Sequence, residues 1–372
     1  MRISVCIITK NAGADLCRCI ESVKRFAYEI IVVDTGSNDA TTEIAKKLGA
    51  KVYIYPEQIF DFSAFRNFAL EHAEGDYILS IDSDEAFCIH NESVLLELLE
   101  KERGLGYALL VQNYFPNGRW GCYPVTKLFK NDPLIRYEKT IHETVNYSLA
   151  RLGYVPPIKG IYIHHYGYLT DPDRLIKKSV FYRDLLIKQL SITPNDTASW
   201  WHLSVSLASL GKIEEAIDAV NHAIKLEPDN KLPYIFLSRF LRIKGKYQEA
   251  IEILEVALAK DQGYWAPTIH NLLGLLYMSL NNFEKAINNL EISVKNAPYF
   301  VHSWVNLGIA YEKTKRWSDA LDCYIKAYQL DPELFNISIK DISHPYLFQE
   351  DVSELYYGLR EHIENCSRSF YL

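Results

Sequence analysis

The sequence predicts an α/β domain built on a parallel sheet, followed by an all-α solenoid of repeated helical hairpins. Over residues 1–90, short β-branched strands alternate with helical patterns, an order that favours a parallel sheet wrapped by helices. From about residue 197 the chain repeats itself at a period typical of stacked helix pairs. A third observation is Asp82-Ser83-Asp84, which directly follows an apolar strand and marks a candidate site.

The N-terminal elements follow one another in a regular order. Strands are predicted over residues 2–9, 29–34, 51–55 and 77–81, and helices over 11–25, 41–48 and 62–73. Further strands are predicted over residues 107–114, 127–130 and 161–165, and a connecting helix over 172–190. In parallel sheets, ligands bind beyond the carboxyl ends of the strands. Thr9, Asn11, Asp34 and the 82–84 cluster all follow strands, so we expect them to converge on one edge.

Four alanines set the register of the repeats. About twelve or thirteen residues before each alanine is a leucine, which is followed by serine or glycine. Small residues are needed where the two helices of a hairpin approach closely. The pattern resembles the tetratricopeptide repeat, whose hairpins stack into a solenoid with a concave groove. We therefore predict an α/β domain over residues 1–190, four repeats over 197–334 and a helical cap over 335–372. The alanines are Ala216, Ala250, Ala286 and Ala320.

The composition is that of a folded protein with a mild negative charge. Of its 372 residues 48% are hydrophobic, which excludes extensive disorder. The net charge of −7 argues against bulk nucleic-acid binding, and the seven cysteines lack the spacing of a zinc or redox motif. No apolar run reaches about 18 residues, so no membrane span is expected. Lys10 and Asn11 interrupt the apolar N-terminal run, so we expect no signal peptide and a cytoplasmic location.

The Asp82-x-Asp84 pair is a candidate metal site. Hard divalent cations prefer oxygen ligands, and Mg²⁺ commonly takes one or two carboxylates together with substrate phosphates. An isolated pair of this kind is more often a solvated acidic turn, but the preceding strand and Asp34 at a neighbouring strand end favour a metal site. Arg66 lies in an otherwise apolar helix, where it either pairs with an anion such as a diphosphate or reaches the surface.

Four blocks of sequence resemble the family 2 glycosyltransferases of the GT-A fold. Three later elements resemble a subgroup that includes lipopolysaccharide-core glucosyltransferases and bacteriocin S-glycosyltransferases of the sublancin type, which also carry C-terminal helical repeats. The four blocks are residues 4–11, 31–39, 63–67 and 79–85, and the later elements are 127–130, 142–143 and 165–168.

The resemblance implies a role for each matching residue. Thr9 and Asn11 would line the nucleoside pocket, and Asp34 would accept a hydrogen bond from the base or ribose. Arg66 would contact the nucleotide. Asp82 would face the ribose and the metal, Ser83 would contact substrate, and Asp84 would bind Mn²⁺ or Mg²⁺ directly.

The two histidine-containing elements supply the remaining candidates. His142 and His165 are candidates for a third metal ligand or a diphosphate contact, although a single histidine is more often structural. Glu143 is the candidate general base, with Asp132 and Glu138 as alternatives.

Together these features predict a metal-dependent inverting glycosyltransferase. We expect a nucleoside-diphosphate sugar as donor, a UDP-sugar first, and a peptide or protein acceptor in the repeat groove. Two alternatives stay open: a lipid-linked or lipopolysaccharide acceptor, and a repeat scaffold with an inactive transferase domain. The chain has no Q-x-x-R-W segment, which argues against a processive polymerase, and no kinase, zinc-protease or serine-hydrolase motif. The donor sugar, the linkage atom and the oligomeric state, a homodimer included, are left open.

Overall fold

The computed structural model describes residues 1–56, 61–89, 95, 99–100, 104–152, 157–260 and 263–370. Its internal contacts divide the chain into two compact units, of which the first comprises residues 1–114 and 122–167 and the second residues 115–121 and 168–372. The connecting helix predicted near residues 172–190 therefore groups with the repeats. That residues 1–190 form a domain of their own stays a prediction.

A mixed sheet organises the first unit. Over the described residues it has eight strands, in the order β3-β2-β1-β4-β7-β6-β8-β5. Most strands lie within about two residues of their predicted bounds, while β7 is much longer than the predicted 127–130 and β5 has no predicted counterpart. The strands are β1 (Ile3–Thr9), β2 (Glu29–Asp34), β3 (Lys51–Ile54), β4 (Tyr77–Asp82), β5 (Glu85–Ile89), β6 (Gly106–Tyr114), β7 (Trp120–Lys130) and β8 (Pro157–His165).

The sheet is mixed and contains the predicted parallel strands. Strands β3, β2, β1 and β4 pair in parallel, and so do β6 and β8. Strand β7 pairs antiparallel with β4, and β5 pairs antiparallel with β8. The crossover helices between β1, β2, β3 and β4 favour parallel neighbours, whereas no local sequence pattern specifies the antiparallel pairs.

Two apolar layers cover the parallel strands, and successive strand residues face opposite layers. Helix α1 (Gly13–Val23) packs on the layer that contains Val5 and Ile7. Helix α3 (Phe62–Glu71) packs on the opposite layer, which contains Cys6. The unit also contains α2 (Thr41–Lys47) and α4 (Asn146–Leu152).

Over its described residues, the second unit contains a long helix, four helical hairpins and a C-terminal segment, in addition to residues 115–121. The four predicted alanines lie on the second helix of each hairpin and are fully buried. The helices are α5 (Pro172–Ile192), the pairs α6 (Thr197–Ser209) and α7 (Ile213–Leu226), α8 (Lys231–Ile243) and α9 (Tyr247–Lys260), α10 (Ala266–Ser279) and α11 (Phe283–Asn296), α12 (Val301–Lys313) and α13 (Trp317–Leu330), and then α14 (Leu359–Phe370).

The predicted small residues lie at the helix contacts of the hairpins. A Cβ atom at Gly274 would lie 2.5 Å from the Leu290 side chain, and one at Gly308 would lie 2.5 Å from Tyr324. A larger residue at either position would have to displace the facing side chain or move the two helices of its hairpin apart.

A repeated hydrogen bond fixes the start of three hairpins. In each, an aromatic side chain on the first helix donates to the carbonyl oxygen of a proline six residues earlier. The bonds are Trp200 Nε1 to Pro194 (2.7 Å), Tyr234 OH to Pro228 (2.9 Å) and Trp304 Nε1 to Pro298 (2.8 Å).

The predicted cap is helical only in part. Residues 332–336 and 347–349 form short 3₁₀ turns, α14 follows, and the intervening chain is irregular. Among the helices that the structure describes, none is both long and apolar enough to cross a bilayer.

Candidate active site

Two buried polar residues lie side by side at the carboxyl ends of β1 and β2. Thr9 and Asp34 are register partners, and both are buried. Asp34 Oδ2 accepts the backbone N–H groups of Gly36 (3.1 Å) and Ser37 (2.9 Å). Asp34 Oδ1 and Thr9 Oγ1 have no hydrogen-bond partner among the described residues. Buried polar atoms are normally paired, so these two offer hydrogen-bonding capacity to a ligand.

Asn11 joins the loops that follow β1 and β2. Its backbone N–H donates to Ser37 Oγ (2.8 Å), and its Oδ1 accepts the N–H of Asn38 (2.9 Å). Asn11 has a left-handed backbone with φ +52°, which asparagine tolerates better than most residues. The structure thus shows Asn11 holding the loops, and its contact with a nucleoside stays a prediction.

Arg66 is buried and makes three hydrogen bonds within the protein. Its helix begins after the N-cap residue Asp61, whose Oδ1 accepts the N–H of Ala64. The guanidinium donates from Nε to Glu143 Oε1 (2.6 Å) and from Nη2 to Asp82 Oδ1 (2.6 Å). The anion that the sequence demands for Arg66 is therefore supplied by two carboxylates of the chain, and a contact with the nucleotide stays a prediction.

Lys127 and Glu85 complete this charge cluster. Lys127 Nζ lies 2.9 Å from Asp82 Oδ2 and 2.8 Å from Glu85 Oε2. Burial opposes ionisation of Asp82, but the cations of Arg66 and Lys127 outweigh it and hold the pKa of Asp82 well below its usual range. Burial raises the pKa of Glu85. Both carboxylate oxygens of Asp82 are thus paired with protein cations, and its role as a metal ligand stays a prediction.

Sequence reasoning assigned no role to Lys127 or Glu85. A role could nevertheless have been predicted for Lys127, because a lysine at a buried position of a strand requires a carboxylate partner. The strand pattern did not identify that partner, since Glu85 lies on a different strand, beyond the turn formed by Ser83 and Asp84.

Asp84 and His165 come together from the β4–β5 turn and the end of β8. Asp84 Oδ2 lies 3.5 Å from His165 Nε2, and His165 Nδ1 lies 2.6 Å from Asn113 Oδ1. An amide oxygen accepts hydrogen bonds, so this contact assigns a proton to Nδ1 and leaves Nε2 facing the carboxylate. A Cβ atom at Gly167 would overlap Asp84 Oδ2 and His165 Nε2, so any side chain at this position would displace the pair.

The donor atoms of Asp84 and His165 fit a divalent cation. A carboxylate oxygen and an imidazole nitrogen are both ligands of Mn²⁺, and a cation bound to a diphosphate needs few ligands from the protein. Within the described ranges, no group of three or more His, Cys, Asp or Glu side chains is arranged to hold a metal. The fit therefore depends on substrate oxygens that complete the shell.

The other predicted residues are placed as follows. Ser83 is half-buried in the β4–β5 turn, and His142 is half-buried with φ +52°. Glu143 pairs with Arg66, and Glu138 pairs with Arg151 at 3.0 Å. The catalytic or binding roles of these residues stay predictions.

Three family models together cover most of the chain. Residues 4–156 match the model described as glycosyl transferase family 2. Residues 197–230, 267–299 and 302–334 match models of the tetratricopeptide repeat. The hairpin formed by α8 and α9 lies outside these matches, and the structure identifies it as a repeat.

Three relatives illustrate the likeness. A TPR repeat-containing protein of Synechococcus elongatus is 30% identical over 297 residues, which cover 74% of this chain and 73% of that protein. An uncharacterized glycosyltransferase of Rickettsia typhi is 31% identical over 202 residues, or 51% of this chain and 68% of that protein. The prophage-derived glycosyltransferase SunS of Bacillus subtilis is 26% identical over 223 residues, or 59% of this chain and 52% of that protein.

Proposed function

The chain belongs to glycosyl transferase family 2, and from this premise we propose that it transfers a sugar, with inversion, from a nucleoside-diphosphate sugar to a polypeptide. It is a glycosyltransferase with tetratricopeptide repeats. The observation that carries the proposal is the pair Asp84 and His165, held against Gly167 at the same sheet edge as Thr9 and Asp34.

The unpartnered atoms of Thr9 and Asp34 are suited to a nucleoside. A carboxylate oxygen accepts a hydrogen bond from a ring N–H group, and a hydroxyl donates to a ring carbonyl oxygen. Uracil presents both groups next to each other, which favours a UDP-sugar as donor. Asn11, which ties the two neighbouring loops together, would keep the pocket in shape.

The leaving diphosphate would lie beside Asp84 and His165. Mn²⁺ or Mg²⁺ bound by these two residues would offset the charge that develops on the leaving group, an effect worth several kcal/mol. Asn113 orients the imidazole ring of His165 through the 2.6 Å contact with Nδ1. Arg66 and Lys127 hold Asp82 at the end of β4 and thereby shape the turn that presents Asp84.

An inverting transfer requires deprotonation of the acceptor as it attacks the anomeric carbon. Glu143 remains our candidate base. Its carboxylate pairs with Arg66, which also pairs with Asp82. A base of this kind contributes about 10²- to 10⁴-fold to the rate.

Two observations support a polypeptide acceptor. Repeat solenoids provide extended surfaces that bind other proteins, and this chain has four such hairpins. The likeness to the glycosyltransferase SunS, which extends over 59% of this chain, favours the bacteriocin S-glycosyltransferases of the subgroup over its lipopolysaccharide-core members.

The proposal is tested by incubating the full chain with a panel of nucleotide sugars and Mn²⁺. We expect one donor to raise the midpoint of thermal unfolding and to be hydrolysed slowly to nucleoside diphosphate without an acceptor. EDTA should abolish the hydrolysis. The proposal would be overturned if no nucleotide sugar bound or if turnover were unaffected by EDTA.

A further inference from the structure

The chain's own C-terminal region covers one face of the repeats. Residues 344–353, called the crossing segment below, pass over the first helices of successive hairpins. The carbonyl oxygen of Asp351 accepts from the side-chain amides of Asn271 (3.2 Å) on α10 and Asn306 (2.9 Å) on α12. Asn306 Oδ1 in turn accepts the backbone N–H of Ser353 at 2.8 Å. These contacts bind the main chain and would suit any extended polypeptide.

Side chains of α8 recognise the crossing segment more selectively. Arg239 Nη2 lies 2.5 Å from Asp351 Oδ1, and this ion pair is almost wholly buried. Phe240 packs edge-on against Phe348, with ring centroids 5.3 Å apart. The face therefore selects an aromatic residue three positions before an aspartate.

This face consists of first helices, which line the concave groove in solenoids of this kind. The sequence predicts that the groove holds an acceptor. In the structure it holds the crossing segment, in which Glu350, Asp351 and Val352 are buried. A partner can reach the asparagines and Arg239 only by displacing this segment.

The crossing segment is an imperfect ligand for the groove. Two polar atoms of the first helices are buried beside it without a hydrogen-bond partner among the described residues, and each costs about 1–3 kcal/mol. One is Nδ1 of His302, whose pKa burial lowers to about 4, so that its ring is neutral at pH 7. The other is Arg239 Nε.

A cavity of about 600 Å³ lies beside the segment at the end of α8. Its lining includes Leu347 and Glu350 of the segment and Arg242 of α8, and Arg242 Nη2 donates to the carbonyl oxygen of Glu350 at 3.1 Å. At this end of α8 there is therefore room for a side chain larger than those of the segment.

We propose that the first-helix face of the repeats is a receptor for an extended acidic polypeptide, and that the crossing segment is its internal occupant. The incoming polypeptide has an aromatic residue three positions before an aspartate and displaces residues 344–353. The inference extends the proposed function, since it concerns the polypeptide that the repeats bind. Because the segment is tethered, it competes at a high effective concentration, and a partner in solution binds weakly until the segment is released.

The test uses the full chain and a labelled peptide with the sequence of residues 346–355. Asp351→Ala removes the anchor of the segment and leaves the groove intact. We expect it to strengthen peptide binding by about tenfold or more, in proportion to the lost competition. Adding Arg239→Ala should abolish that binding. A peptide with asparagine in place of the aspartate should bind poorly, and Lys212→Ala, an exposed change immediately before α7, should have no effect.

A second measurement covers the case in which Asp351→Ala does not fold. With the wild-type chain, a millimolar excess of the peptide should increase hydrogen exchange at the amides of residues 346–353. The proposal is overturned if exchange in this segment is unchanged under saturating peptide, or if a folded Asp351→Ala variant binds no peptide. Both readouts are independent of donor turnover, so they distinguish this inference from the proposed enzymatic activity.

Discussion

Asp84 Oδ2 lies 3.5 Å from His165 Nε2, although one residue belongs to the turn after β4 and the other ends β8. Antiparallel pairing of β5 with β8 produces this contact, because Glu85 is the register partner of His165. The backbone N–H of Tyr166 also donates to the carbonyl oxygen of Asp84 at 3.0 Å. The acidic turn and the histidine are thus held together by the sheet, before any substrate binds.

The first prediction concerns Asp84. Asp84→Ala should lower sugar transfer by about 10³-fold or more, because the metal loses its carboxylate and the leaving diphosphate loses its counter-charge. Asp84 is partly exposed in a turn, so the unfolding midpoint should barely change. Asp76→Ala, which breaks an exposed pair with Arg2, is the matched control. Wild-type activity in the Asp84 variant would contradict the metal site.

The second prediction concerns Gly167. Its Cβ position overlaps both Asp84 Oδ2 and His165 Nε2, so Gly167→Ala should push the pair apart. We expect the Mn²⁺ concentration for half-maximal activity to rise by about tenfold or more, since distorting the support of metal ligands typically costs that much in affinity. A metal titration of donor hydrolysis measures this. An unchanged titration curve would mean that the pair does not bind the metal.

The third prediction concerns Lys127. Lys127→Met leaves Asp82 and Glu85 without their shared cation, so it should lower the free energy of unfolding at pH 7 by about 3 kcal/mol. Lys24→Met removes an exposed cation from Glu21 and should cost less than about 1 kcal/mol. Urea unfolding of the two variants measures the difference. Equal losses would show that the buried cluster contributes no more than a surface pair.

The same variant has a predictable pH dependence. The pKa of Asp82 is lowered in the folded protein, so its ion pairs stabilise the fold above the usual pKa of Asp and are lost as the pH falls below it. Burial raises the pKa of Glu85, so its contribution to the stability of the fold increases as the pH falls and partly offsets that of Asp82. Lys127→Met removes one of the two cations on Asp82. Its stability should therefore fall less between pH 6 and pH 3 than that of the wild-type protein.

The features that the sequence predicted correctly are determined by residues close to one another in the chain. The parallel strands, the helices between them and the repeat register follow from periodicity and from small residues such as Ala216 and Gly274. Thr9 and Asp34 were expected to meet because the ends of parallel strands share an edge, and they are register partners.

The features that the sequence did not predict depend on contacts between residues that are far apart in the chain. Lys127 is joined to Asp82 because β7 packs beside β4 in the opposite direction, and no local pattern specifies that neighbour. The crossing segment is likewise fixed by contacts between distant residues, such as Asp351 with Arg239. Its irregular chain has no period by which its position could be predicted.

The last prediction separates two roles for Glu143. If Glu143 deprotonates a hydroxyl acceptor, Glu143→Gln should lower kcat by about 10²- to 10⁴-fold with little change in the KM for the donor. The side-chain oxygen of the glutamine can still accept a hydrogen bond from Arg66 Nε, as Glu143 does at 2.6 Å, so the fold should persist. If Glu143 only positions Arg66, the loss of activity in Glu143→Gln should be small. Arg66→Lys should then lower activity at least as much, because it disturbs the turn at Asp82.

The acceptor class changes the expected size of the Glu143 effect. A cysteine thiol with a pKa near 8.5 is partly ionised at neutral pH and needs the base less than a hydroxyl does. With a thiol acceptor, activity of Glu143→Gln should recover as the pH is raised towards 9, whereas with a hydroxyl acceptor it should stay low. Matched peptides that differ only by serine or cysteine at the acceptor position measure this. A donor KM that rises steeply in Glu143→Gln with either peptide would contradict a base role and assign the residue to donor binding.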